Sequence, residues 1–121
     1  MIHSKITALA LGLTLVFPAI PALAAWQCSV HPPKGASDAR LMSMARIPKA
    51  RAEQTALERF GRRAKVSSAE LEAERGCLIW SFDVKVHGRS GVQEVNVDAG
   101  NGKVLEVHHE TPGQEASEGS G

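Results

Sequence analysis

Residues 69–86 read AELEAERGCLIWSFDVKV, and their alternation decides the fold. In the first half Ala69, Leu71 and Ala73 alternate with Glu70, Glu72 and Glu74. In the second, Leu78, Trp80, Phe82, Val84 and Val86 point one way, and Ile79, Ser81, Asp83 and Lys85 point the other. A period of two puts successive side chains on opposite faces of a strand. One greasy face and one charged face is the pattern of an antiparallel sheet with one wet side.

Downstream the pattern repeats twice. HGRSGV marks a turn after residue 86, and VQEVNVDA follows with Val95 and Val97 facing inward. GNG supplies the next turn, where Gly or Asn takes positive φ at little cost. KVLEVHH is the last strand, with Leu105 and Val107 as its inward residues. Tight connections join antiparallel neighbours, so the four segments form hairpins in succession.

Upstream of Lys65 the period is 3.6. Pro48 suits the first turn of a helix, where its missing N–H costs nothing. Ala52, Ala56, Leu57 and Phe60 then share one face. Gly61 ends the helix, and Arg59, Arg62 and Arg63 lie where the helix dipole favours positive charge. The stripe is built from small residues, so the helix can lie close against a sheet. The expected packing buries Leu57 and Phe60 against Leu71, Trp80, Phe82, Val84, Val95, Val97 and Leu105. The fold class is therefore α+β: one main helix, residues 48–61, on a curved antiparallel sheet of three to four strands. Before it, DARLMSMAR adds a helical turn with Asp38 as N-cap and Leu41 with Met44 or Met42 inward. SVHPPKGAS, rich in Pro, Gly and Ser, is an extended lead-in.

The ends read differently. Lys5, an apolar run over residues 6–20 and the small-residue pattern at 22–24 have the layout of a secretory signal peptide cut after Ala24. The run is shorter than the ~20 apolar residues a membrane span needs, and Pro18 and Pro21 interrupt it. Lipid attachment at Cys28 would need small residues directly before it, where Trp26 and Gln27 stand. The expected organisation is a signal peptide at 1–24, an N-terminal arm at 25–46, a folded domain at 47–110 and a polar, disordered tail at 111–121. The expected location is periplasmic or secreted, with no stable membrane insertion after cleavage.

Fewer than one hundred residues follow Ala24, enough for one domain with a modest core. In an oxidising compartment Cys28 and Cys77 form a disulfide. Closing a loop of about fifty residues stabilises by roughly 4 kcal/mol in the chain-entropy model. A redox-active pair would sit closer in sequence, as in C-x-x-C.

Chemistry is sparse. No serine carries a nucleophile motif, and Glu70, Glu72 and Glu74 fit the solvated face of a strand. No catalytic residue, cofactor or metal is expected. Adjacent His108 and His109 point to opposite faces and do not readily share one metal; a sensor using them or His87 is the alternative reading. With Lys5 removed, acidic and basic residues are equal in number. Nucleic acid is not an expected partner. The bases are unevenly spread, and Arg51, Arg59, Arg62 and Arg63 form a candidate protein-binding surface.

The segments EQTALERF, AELEAE, IWSFDVKV and VQEVNVDAGNGKVLEV together resemble the PepSY domain, from about residue 47 to 107. In VNVDAGNGKVL, Asp98 and Gly102 take the positions where that family closes one strand with Asp and opens the next with Gly. The resemblance implies a cystatin-like helix-on-sheet fold. It also implies a non-catalytic module that regulates or inhibits a peptidase, or binds an envelope protein. No protease domain follows, so such action would be in trans. The cysteine pair departs from the family pattern and staples the arm to the sheet.

Overall fold

The computed structural model describes residues 10–17 and 25–113. The order of elements is α1 (Asp38–Met44), α2 (Lys49–Glu58), a 3-10 turn (Gly61–Arg63), β1 (Ala64–Glu74), β2 (Cys77–Val86), β3 (Val92–Asp98) and β4 (Val104–Glu110). The strands form one antiparallel sheet in the order β1-β2-β3-β4. Both helices lie on one face of it, so the architecture is α+β.

The period-two reading of residues 69–86 holds in full register. Leu71 pairs with Trp80 and Ala69 with Phe82, and both pairs contribute to the core. Leu78, Phe82, Val84, Val95 and Val97 are completely buried. The β1–β2 turn is Arg75-Gly76, with φ of 50° and 76°. Two consecutive positive φ angles match the right-handed strand twist, and only the glycine adopts one without steric cost.

The helix layer differs from expectation in three respects. The main helix runs from Lys49 to Glu58, with Pro48 as its N-cap, and stops before Gly61. Its fully buried residues are Ala52 and Ala56, while Leu57 and Phe60 are half-buried at the margin of the cluster. Two alanines let the helix backbone approach the sheet closely, which leaves the larger side chains to the flanks. In α1 the N-cap is Ser37, whose Oγ accepts from the Arg40 amide at 3.2 Å, rather than Asp38. Leu41 is buried and Met44 half-buried, while Met42 is exposed.

Two strand residues also depart from the pattern. In the β3–β4 ladder Val97 faces Val104 but Asn96 faces Glu106, so Leu105 is the extra residue of a bulge. Val104, not Leu105, packs on the core. Val107 keeps the inward side, opposite Val95, but lies 37 % exposed on the outer strand. Ile79 belongs to the polar face by alternation, yet it is fully buried there, in register between Glu72 and Asp98.

Residues 10–17 form neither helix nor strand, and Leu11, Leu13, Leu15, Val16 and Phe17 are exposed. The cut after Ala24 and the tail from residue 114 lie outside the described residues. Among the described residues no helix is long and apolar enough to cross a membrane.

Candidate interaction surfaces

Three places on this framework concentrate polar chemistry. The first is the seam where the N-terminal arm meets the last hairpin. Asp98 closes β3 and is fully buried. Its Oδ2 accepts from the Ser29 amide at 2.7 Å, and its Oδ1 accepts from Ser29 Oγ and the Gly100 amide, both at 2.7 Å. The Asn101 amide adds a longer bond of 3.2 Å. Burial raises the Asp98 carboxyl, and the Ser29, Gly100 and Asn101 bonds outweigh it, leaving the group below its ordinary value. The Gly102 amide donates to the Asp98 carbonyl at 2.9 Å, closing the turn.

The arm crosses the end of the sheet here. Ser29 bonds Asp98, and the next residue, Val30, joins the core cluster and accepts from the Leu78 amide at 3.0 Å. A Cβ at Gly100 would collide with Ser29 Oγ and Val30. Cys28 is disulfide-bonded to Cys77, with the Cα atoms 5.9 Å apart. His31 Nδ1 lies 3.0 Å from the Gly76 carbonyl. The segment entering α2 is tied to the same corner. Arg46 and Ile47 both donate amides to the Ala99 carbonyl at 2.9 Å, and Trp80 Nε1 donates to the Ile47 carbonyl at 2.8 Å.

The second place is the sheet face that no helix covers. Register sets its side chains in cross-strand rows: Ser68, Asp83, Glu94 and His108; then Glu70, Ser81, Asn96 and Glu106. Glu72 and Glu110 lie on the same face. Carboxylate oxygens of Asp83, Glu94 and Glu110 come within 4.8 Å of one another. Ser68 Oγ donates to Asp83 Oδ2 at 2.9 Å, and Ser67 Oγ to the Asp83 carbonyl at 3.2 Å. Asn96 Nδ2 donates to Glu94 Oε1 at 3.0 Å. Glu72 is held above its ordinary value by burial, then by Glu74, Glu70 and Glu94, with a Ser81 hydrogen bond opposing. The depression these residues line contains carboxylates, serines and Lys85 but no histidine or cysteine. Its hydroxyls are taken up locally: Ser67 and Ser68 bond Asp83, and Ser81 bonds Glu72.

The third place is the outer side of the helix layer, where Arg51, Arg59, Arg62 and Arg63 are all exposed. Bases on one side and acids on the other polarise the domain across its thickness.

The histidines singled out in the sequence are separated. His87 follows β2, and its amide donates to the Arg63 carbonyl at 2.9 Å. His108 stands opposite Glu94 on the open face, whereas His109 lies on the other face within 2.6 Å of Gln93 Nε2. None of the three belongs to either group of three close ligand side chains among the described residues. One of those groups is Cys28, His31 and Cys77, whose sulfurs are joined to each other.

Sequence reasoning reached Asp98, Gly102 and the cysteine pair. It missed Ser29, Asn96 and the Trp80–Ile47 bond. Ser29 lies 69 residues from Asp98, and no local pattern links them.

A family model described as peptidase propeptide and YPEB domain, PepSY, matches residues 46–108. No curated protein and no solved structure gives a match.

Proposed function

The chain belongs to the PepSY family, and from that premise we propose that it is a secreted or periplasmic interaction module that regulates or inhibits a peptidase in trans. PepSY domains are generally non-catalytic propeptide or interaction modules, and they are typically extracytoplasmic. The disulfide between Cys28 and Cys77 supports an oxidising compartment, as does the signal-peptide layout of residues 1–24. The observation that carries the reading is the uncovered sheet face. It presents ordered carboxylates with no histidine or cysteine among the residues lining its depression, which suits contact with a protein rather than turnover of a substrate.

The alternative, a metal or small-ligand sensor built on His87, His108 and His109, has less support, because these side chains do not converge.

The test is a titration of secreted or envelope peptidases from the source organism with the purified chain. The expected outcome is a saturable fall in initial rate while the chain stays uncleaved. An unchanged rate at large molar excess, with no complex on size-exclusion chromatography, would defeat the reading.

A further inference from the structure

β1 is the first strand of the sheet. Its inner edge pairs with β2, and no backbone hydrogen bond from another described segment reaches its outer edge. A strand edge of this kind presents a row of unpaired N–H and C=O groups that can accept an extended segment as a further strand. The β1 bulge lies between Val66 and Ser68, so the ladder runs without interruption from Ser68 to Glu74. The other outer strand, β4, carries its bulge at Leu105, inside the pairing segment.

The side chains along β1 restrict what could lie beside it. On the helix side, Ala69 and Leu71 are half-buried and belong to the margin of the core. On the open side stand Glu70 and Glu72. Their cross-strand neighbours on β2 are Ser81 and Ile79, so neither faces a cation within the sheet. Oppositely charged side chains directly across a strand pair attract, and like charges repel. The Glu72 carboxyl is raised first by burial and then by the negative charge of Glu74, Glu70 and Glu94. A newly added strand would set its alternate residues against the two rows: one series against Ala69 and Leu71, the other against Glu70 and Glu72.

We infer that the outer edge of β1 over residues 68–73 is a docking site for an extended segment of a partner protein in which basic and apolar side chains alternate. The inference rests on the interaction-module reading and gives its partner a chemistry. Main-chain hydrogen bonds supply the attachment, the alternation sets the register, and the glutamates exclude acidic strands.

The test uses short fluorescent peptides and the purified chain. One peptide alternates lysine and valine; a second alternates glutamate and valine; a third has the lysine–valine composition in two blocks; a fourth is the first with alternate amides N-methylated. Expected are saturable binding of the first peptide alone and slowed amide exchange in β1. Replacing both acids, Glu70→Gln with Glu72→Gln, should weaken that binding by roughly twofold to thirtyfold, the range of two cross-strand charge pairs. Equal binding of the N-methylated or the block peptide would reduce the contact to charge alone and overturn the assignment, as would no binding of the first peptide. Peptidase titration with the double variant separates the two claims. Inhibition by the wild-type chain without binding of the first peptide removes the β1 site and leaves the module reading standing. Loss of both activities by a variant that retains the wild-type melting transition ties them to one edge.

Discussion

The two faces of the sheet are made by the same four strands and obey opposite rules. Beneath the helices, Phe82, Val84, Val95 and Val97 have no exposure, and two alanines of α2 close over them. On the other face, one residue along from Phe82 and Val95, Asp83 and Glu94 stand opposite each other, their carboxylates within 4.8 Å. The covered face holds the domain together through apolar area removed from water. Away from the seam at Ile79 and Asp98, the open face contributes little to cohesion, so its composition is free to serve recognition. A single alternation in sequence encodes both, because adjacent side chains cannot share a face.

The largest effect should come from the covered side. Phe82→Ala is expected to destabilise by about 3–5 kcal/mol, measured by denaturant unfolding, whereas Asp83→Asn next to it should change stability by about 0.5 kcal/mol or less. Comparable losses at the two positions would erase the distinction between the faces.

Next in size is the staple. Replacing Cys28 and Cys77 together by serine should cost about 2–5 kcal/mol, read as a lower melting temperature in non-reducing buffer. An identical melting curve would mean that the Asp98 seam alone fixes the arm.

That seam comes third. Asp98→Ala leaves the Ser29, Gly100 and Asn101 amides without their acceptor and should cost about 1–3 kcal/mol. Because the folded-state value of Asp98 is lowered, its contribution is present above the unfolded carboxyl value and is lost as pH falls through the folded one. Wild-type and variant stabilities should therefore converge in strong acid. A constant gap across the pH range would contradict the assignment.

The smallest effect belongs to the open face. Glu72 is raised, so its protonated form favours folding and that contribution is lost as pH rises through the folded value. Glu72→Gln should stabilise the domain at neutral pH by at most about 0.5 kcal/mol, and the gain should vanish in acid. Destabilisation at neutral pH would show that its carboxylate is satisfied rather than crowded.

The sequence makes β2 legible down to single side chains, because Trp80, Phe82 and Val84 alternate with polar residues and carry the core. It misplaces Leu105 because a bulge shifts phase by one residue, and KVLEV is compatible with either inward choice. It also overrates Leu57 and Phe60. Their size suggests a central role, but close helix approach favours alanine at the contact line. Of the candidate surfaces, the acids of β1 and the arginines around α2 are visible as patterns. The Asp98–Ser29 seam is not, since hydroxyls and carboxylates that meet across the whole domain leave no periodic trace.

The position of that seam also sets the order in which the chain can be completed. The arm is made first, yet its fasteners, Asp98, the Ala99 carbonyl and Cys77, all come from later in the chain. Cys28 can pair once Cys77 at the start of β2 has appeared, but Ser29 must wait for Asp98 at the end of β3. The arm is thus fastened in two stages, and truncation shortly before Asp98 should leave it held by the disulfide alone, with Ser29 unlatched.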